Sequence, residues 1–155
     1  MTTNKILKKL QTILQVDESG MYDIFALSGY ELTQERVKGY LSDAEDKTFL
    51  DCGYEALGHF LDGLIVYKRG PSEKKNVDEV VALDNNLILK KLRIAYELKE
   101  VDLYAIFHSV EIDISKSELN ALFRKVGHKN YRACPDSILE LFLEGLELCE
   151  GELDA

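Results

Sequence analysis

The sequence lacks any long apolar run, and no stretch approaches the roughly 20 residues that a helix needs to cross a bilayer. Its first residues lead directly into an amphipathic pattern that Lys8 and Lys9 interrupt, which is unlike the apolar core of a secretory signal peptide. Cysteine is scarce, and an odd count of 3 without an export signal does not suit a disulfide framework. These shortages predict a protein of the reducing cytoplasm with no membrane span.

Positive charge is also in short supply, since 19 lysine and arginine residues stand against 28 acidic residues, a net charge of −9. Contact with phosphates needs an excess of basic groups, so this balance argues against a dedicated, non-specific nucleic-acid binder. The distribution is uneven, however, because residues 119–135 contain no acid but carry Arg124, Lys125, Lys129 and Arg132. The sequence leaves two explanations open for this segment, a solvated face and a binding surface.

What the sequence does contain is an internal duplication. Residues 4–67 and 86–149 align without a gap at an offset of 82, and 17 of the 64 aligned pairs are identical. The pattern is typical of a duplicated structural unit. One identical pair is Gly63 with Gly145, inside predicted helices. Because a helical glycine costs about 1 kcal/mol relative to alanine, its recurrence predicts a close helix–helix approach in each copy.

Apolar residues at helical spacing predict four helices in each repeat. Asn4 and Asp102 are candidate N-caps, and Thr33 and Ser115 precede the third helix of their copies. Only Ser115 has a glutamate three positions later, which completes a capping box. The predicted helices of the first repeat are residues 4–16, 20–28, 33–41 and 54–67, and those of the second are residues 86–98, 102–110, 115–123 and 136–149.

No strand pattern is convincing, so we predict an all-α fold. Residues 1–69 form the first helical repeat, residues 70–84 a linker and residues 85–155 the second repeat. A single repeat of this length buries little apolar surface alone. We therefore expect two tandem four-helix repeats packed pseudo-symmetrically into one compact helical body.

Motifs for metal, phosphate or covalent chemistry are missing. The cysteines and histidines are scattered, without a C-x-x-C pair or a glycine-rich phosphate loop. His128 and Cys134 are a conceivable base and nucleophile. Cys52 occupies the same place in the first repeat, with Asp46 where His128 stands, so buried packing explains both cysteines better. We predict that the protein is not an enzyme and that it has no metal and no cofactor.

Several blocks of sequence are specific enough to compare with known families. The second repeat carries N-N-x-x-L-K-K-L-R-I-A from Asn85 and H-K-N-Y-R-x-C-x-D from His128, and the repeats share F-L-x-G-L from Phe60 and from Phe142. Together these blocks, which extend over essentially the whole chain, resemble the bacterial YehS family. The resemblance implies a small cytoplasmic bacterial protein with a tandem organisation. That family is uncharacterised, so the resemblance implies no activity and no catalytic residue.

Function is better sought where the two copies differ than where they agree, because packing explains an identity first. Three divergent pairs make the loop before the fourth helix acidic in the first copy and basic and polar in the second. These pairs are Asp46 with His128, Thr48 with Asn130, and Leu50 with Arg132.

We predict a non-enzymatic protein-interaction or regulatory module with a protein partner that the sequence does not identify. The alternative is a nucleic-acid-binding protein that uses a local basic patch. The candidate surface for either function comprises Lys90, Lys91, Arg93, Arg124, Lys125, His128, Lys129, Asn130 and Arg132.

Overall fold

The computed structural model describes residues 1–71 and 82–153 of the chain. Most of the predicted linker, residues 72–81, lies outside the described residues. The chain divides into two units, Thr2–Asp84 and Asn85–Ala155, which correspond to the two repeats. No strand occurs in the described ranges.

Each unit contains four helices in the described residues, and the helices of the second unit begin and end within two residues of the first unit's positions plus 82. The first unit has α1 (Thr3–Leu14), α2 (Glu18–Leu27), α3 (Gln34–Leu41) and α4 (Gly53–Arg69). The second has α5 (Asn85–Ala95), α6 (Glu100–Ser109), α7 (Lys116–Phe123) and α8 (Asp136–Leu153). The predicted fold class, all-α with two tandem four-helix repeats, is confirmed.

The third helix of each repeat starts as its sequence predicts. The Thr33 hydroxyl accepts a hydrogen bond from the backbone N–H of Arg36 at 3.1 Å. Ser115 makes the same bond with Glu118 at 3.1 Å, and the Glu118 carboxylate accepts from the Ser115 N–H at 3.1 Å. The second bond completes a capping box. The Ser115 side chain is the main reason that the pKa of Glu118 lies below its usual value, and the bond from the Ser115 N–H lowers it further.

Two other predicted caps are wrong. Thr2, not Asn4, caps α1, because the Thr2 side chain accepts from the N–H of Lys5 at 3.2 Å. Asp102 lies inside α6, where its carboxylate reaches back to the N–H of Lys99 at 2.8 Å. Asparagine and aspartate are common N-cap residues, which explains why the sequence predicts both caps.

The first helix of each repeat also ends earlier than predicted. Gln15 and Glu97 occupy equivalent positions and adopt left-handed φ values of 55° and 51°. A left-handed residue ends a helix by turning the next N–H groups toward the last carbonyls. The apolar residues Val16 and Leu98 directly follow Gln15 and Glu97, and the sequence pattern therefore predicts longer helices that reach residues 16 and 98.

Each repeat has its own apolar core, centred on a pair of tilted phenylalanine rings. Phe25 and Phe60 have ring centroids 5.0 Å apart, and their equivalents Phe107 and Phe142 are 5.5 Å apart. All four side chains are fully buried. Such ring pairs contribute stability beyond the area that they bury.

Glycine allows the second and fourth helices of each repeat to cross closely. A Cβ atom on Gly63 would overlap the carbonyl oxygen of Ile24, and one on Gly145 would overlap the carbonyl oxygen of Ile106. The close approach predicted from the repeated glycine is therefore confirmed. Among the described residues, no helix is long and apolar enough to span a bilayer.

Candidate interaction surface

The loop between the third and fourth helices is tied to the first helix by one asparagine side chain. Asn4, buried on α1, donates through Nδ2 to the carbonyl oxygens of Tyr40 at 3.1 Å and Leu50 at 2.8 Å. Its Oδ1 atom accepts from the N–H of Cys52 at 3.0 Å. The three bonds join the end of α3, the loop and the start of α4 to a single position on α1.

Asn86 makes the same three bonds in the second repeat. Its Nδ2 atom donates to the carbonyls of Leu122 at 3.0 Å and Arg132 at 2.9 Å, and its Oδ1 atom accepts from the N–H of Cys134 at 2.9 Å. Every partner is displaced by 82 positions from its equivalent in the first repeat. The asparagine identity in the two copies thus records a shared way of holding this loop.

The loops also share a turn in which the side chains differ. In the first repeat, the carboxylate of Asp46 accepts from the N–H of Thr48 at 2.9 Å, and this bond is the main cause of its lowered pKa. In the second, the Nδ1 atom of His128 accepts from the N–H of Asn130 at 3.0 Å. Aspartate and histidine therefore have one structural role here, and the predicted site residues His128 and Asn130 are partners in the turn.

On this shared framework the two loops carry opposite charge. Residues 42–50, which we call the acidic loop, contain three acids and one lysine, a net charge of −2. Residues 124–132, which we call the basic loop, contain two lysines, two arginines and no acid, a net charge of +4 with the histidine neutral. Every predicted site residue in the basic loop is exposed: Arg124, Lys125, His128, Lys129, Asn130 and Arg132.

The three predicted site residues on α5 have different surroundings. Lys90 is exposed and Lys91 is half-buried. Arg93 is half-buried, and its Nε atom donates to the carbonyl of Leu98 at 3.2 Å. The guanidinium carbon of Arg93 lies 4.9 Å from the ring centroid of Phe123, a cation–π contact that joins α5 to α7. This geometry gives Arg93 a structural role within its repeat.

The two residues of one ion pair in the first repeat are both lysines in the second repeat. Lys8 on α1 contacts Asp43 of the acidic loop, with Nζ and Oδ1 2.7 Å apart. The equivalents of these residues are Lys90 and Lys125, both positively charged. Within the described part of the chain, neither has a carboxylate within ion-pair distance. Sequence reasoning named both lysines but missed their equivalence to an ion pair, which only the contact in the first repeat reveals.

The cysteines and histidines do not assemble into a reactive centre in the described residues. Burial raises the pKa of the Cys52 thiol to about 12, with a further contribution from Asp51. Cys134 is buried and its Sγ atom donates to the carbonyl of Pro135 at 3.5 Å, whereas His128 is exposed and bonded to Asn130. Across residues 1–71 and 82–153, no three histidine, cysteine or acidic side chains cluster closely enough to hold a metal ion.

The first repeat has a polar and aromatic cluster that the sequence did not reveal. The rings of Tyr30 and His59 stack with centroids 4.2 Å apart and planes 8° apart, and Arg36 Nε donates to the Tyr40 hydroxyl at 3.2 Å. Burial is the largest cause of the raised pKa of Tyr30. A shallow open groove next to Arg36 contains none of the predicted site residues; it is lined by Thr33, Glu35, Arg36, Lys38, Thr48 and Leu50. In the second repeat the cluster becomes Ile112, Leu141, Glu118 and Leu122.

These features define a tandem four-helix repeat protein with one acidic and one basic inter-helix loop. A family model described as "Protein of unknown function (DUF1456)" matches residues 3–70 and 85–150, one match for each repeat. The chain belongs to this family. It is 37% identical over 147 residues to the "Uncharacterized protein YehS" of Escherichia coli (strain K12), with 94% of each chain covered, as the sequence blocks predicted. No solved structure matches the chain.

Proposed function

We propose that this protein is a non-enzymatic interaction module of the bacterial cytoplasm, whose second repeat binds an acidic protein partner through the basic loop. The observation that carries the proposal is the opposite charge of two loops held by the same asparagine bonds. Because the framework is shared, folding does not require the basic side chains. The basic loop exposes four cations and itself contains no acid, although Glu118 of α7 lies near Arg132. This excess of positive charge suits binding better than stability.

The charge of the whole chain favours a protein segment over a nucleic acid. A long polyanion extends beyond the basic loop and meets a body whose net charge is −9. For example, Glu140 and Glu144 are exposed on α8. A short acidic segment, in contrast, contacts the local positive charge without approaching the rest of the acidic surface.

The environment of the cysteines supports a non-enzymatic role in a reducing compartment. A thiolate is the nucleophilic form of cysteine, and the raised pKa of Cys52 keeps its thiol protonated at neutral pH. Cys134 is buried in the same place in its repeat. All three cysteines are free thiols, which suits the bacterial cytoplasm.

The test is affinity capture from the native bacterium, followed by binding measurements with each captured protein after purification. The variant K129E/R132E changes the charge of the basic loop by −4. The matched control K38E/K47E makes the same change at exposed positions of the first repeat. We expect a purified partner with an acidic segment that binds the wild type and the control alike, and binds the basic-loop variant at least about tenfold more weakly.

Two results would contradict the proposal. One is equal binding of every purified partner to the two variants, because the basic loop would then play no part. The other is a gel shift with mixed DNA or RNA at low salt that K129E/R132E abolishes, because nucleic acid would then be the ligand. Low salt is chosen because it strengthens exposed electrostatic contacts.

A further inference from the structure

The contact between Lys8 and Asp43 in the first repeat indicates what the equivalent positions of the second repeat could bind. The two side chains form an ion pair between α1 and the acidic loop, with Nζ and Oδ1 2.7 Å apart. In the second repeat the same two positions hold Lys90 and Lys125. The carboxylate of Asp43 has been replaced there by a second ammonium group.

The backbone of the second repeat places Lys125 where the first repeat has Asp43. Ser42 and Arg124, which precede these residues, leave their helices with φ and ψ of −71° and 158° and of −71° and 157°. The next turn is also shared, since the carbonyl of Asp43 accepts from the N–H of residue 46 at 2.9 Å, and the carbonyl of Lys125 accepts from the N–H of residue 128 at 3.0 Å.

The helix of the second repeat places Lys90 in the same way. Lys90 lies four residues after Asn86, so both side chains project from one face of α5. That face is directed to the basic loop, because Asn86 bonds to the carbonyls of Leu122 and Arg132. Lys90 and Lys125 therefore occupy the two positions whose side chains meet in the first repeat, those of Lys8 and Asp43.

Two ammonium groups beside one position repel each other and attract a carboxylate. The described part of the chain supplies no carboxylate to Lys90 or Lys125 within ion-pair distance. An apolar side chain adjoins this position, because Val126 follows Lys125 and is 77% exposed. The equivalent of Val126 in the first repeat is the smaller Ala44.

We propose that Lys90 and Lys125 form a carboxylate-binding subsite that takes an Asp or Glu side chain of an acidic protein segment, with Val126 contacting an apolar residue beside that carboxylate. This inference rests on the proposed function and specifies the partner's chemistry. The first repeat contains the occupied form of the site, with Asp43 as its own carboxylate.

The experiment measures fluorescence anisotropy of a fluorescein-labelled peptide in which glutamate and leucine alternate. K125D gives the second repeat the acid that the first repeat has, and this acid should pair with Lys90 and occupy the subsite. K47D makes the same charge change of −2 in the acidic loop and serves as the control. We expect K125D to bind the peptide at least about fivefold more weakly than the wild type, and K47D to stay within about twofold.

Two further measurements separate the parts of the inference. A peptide with serine in place of leucine should bind more weakly to the wild type, and this difference should shrink in V126A. In nitrogen-15 NMR spectra, the Lys90 ammonium group should exchange its protons more slowly in K125D than in the wild type, because the new carboxylate pairs with it. The Lys8 ammonium group, which is paired with Asp43, should exchange slowly in both proteins.

Equal peptide binding by K125D and K47D would overturn the subsite. If K129E/R132E still lost its purified partner in that case, the proposed function would stand and only the subsite would be wrong. If neither K125D nor K129E/R132E weakened binding of a purified partner, both the subsite and the proposed function would be wrong. A labelled DNA oligonucleotide of the same charge that bound more tightly than the peptide would also contradict the inference, because the subsite would then recognise phosphate.

Discussion

The acidic loop and the basic loop are held in the same way but differ in charge. Each must connect the third helix of its repeat to the fourth, and each is held by three bonds from one asparagine, Asn4 or Asn86. One loop neutralises a lysine of the first helix through Asp43, whereas the other has Lys125 at the position equivalent to Asp43. The comparison separates what holds the fold from what is free to vary, and the varying part carries the charge.

The substitution with the largest expected effect tests whether the two repeats depend equally on a glycine at the helix crossing. An alanine at Gly63 or Gly145 overlaps a backbone carbonyl that flexible side chains cannot relieve. We expect each change to lower the free energy of unfolding by about 3 kcal/mol, because the overlap outweighs the ~1 kcal/mol that alanine gains in a helix. The overlap is deeper at Gly63, so G63A should be the more severe.

Denaturant unfolding combined with amide hydrogen exchange measures this effect and assigns it to a repeat. G63A should lose protection in the first repeat and G145A in the second. Wild-type stability in either variant would show that the crossing adjusts by moving one helix, which would contradict the close approach.

The next largest effect concerns the asparagine that holds each loop. N4A and N86A each remove three hydrogen bonds and leave unsatisfied two backbone partners that belong to buried residues, so we expect a loss of about 2 kcal/mol. Asn4 is buried while Asn86 is half-buried, so N4A should be the more damaging of the pair. Thermal melts of both variants check this order, and N86D, which keeps the acceptor for Cys134 but loses both donated bonds, is the control. A loss confined to one repeat would end the claim that the two loops are held alike.

A smaller effect follows from a left-handed turn after the second helix of each repeat. Gly29 has φ of 81°, and its equivalent Glu111 has φ of 62°. Left-handed backbone costs a non-glycine residue roughly 1 kcal/mol, so E111G should stabilise the second repeat by up to about that amount. G29E should destabilise the first repeat by a similar amount. No atom lies close enough to Gly29 for a steric clash, so the left-handed backbone is the only cost. Chemical denaturation measures both, and stabilisation by G29E would disprove the strain.

The smallest predicted effect is a difference in pH dependence between the two turns. The hydrogen bond from Thr48 holds the pKa of Asp46 below its usual value, so this bond stabilises the folded loop above the ordinary carboxylate range and is lost as the pH falls through the lowered pKa. In the second repeat the acceptor of the equivalent bond is the Nδ1 atom of His128 and not a carboxylate, so the turn at Asn130 does not contain this carboxylate bond.

Amide shifts followed by NMR during an acid titration measure this dependence. The Thr48 amide should move as the pH falls through the lowered pKa of Asp46, and D46N should remove this transition. A Thr48 amide that still moved in D46N over the same pH range would contradict the role of the carboxylate.

Patterns that act within a few residues were predicted correctly, and contacts between distant segments were not. The sequence revealed the duplication, the eight helices of the described residues, the caps at Thr33 and Ser115 and the close approach at Gly63 and Gly145. It placed Asn4 at a helix start because asparagine often caps helices. The actual role of Asn4 depends on partners 36 to 48 positions away, which local preference cannot indicate.

The candidate surface shows the same division. The opposite charge of the loops is visible in the sequence, so Lys125, Lys129 and Arg132 could be named. The role of Arg93 depends on a ring of another helix, and its cation–π contact with Phe123 has no local signal. The proposed pairing of Lys90 with Lys125 depends on the ion pair of Lys8 with Asp43, a contact that has no local signal in the sequence.

The central claim is that the two loops share one framework and that the positive charge of the basic loop makes the second repeat bind an acidic segment. Exchange of the two loops tests this claim most directly. Residues 42–50 and 124–132 are exchanged as whole segments, because Gly127 has a positive φ of 96° that its equivalent Glu45 lacks. One protein then carries the acidic segment twice, and another carries the basic segment only in the first repeat. The anisotropy of the labelled glutamate–leucine peptide is the measurement. We predict that the first protein folds with near-wild-type melting but loses peptide binding, and that the second binds the peptide through its first repeat. Peptide binding that stayed with the second repeat after the exchange would contradict the account.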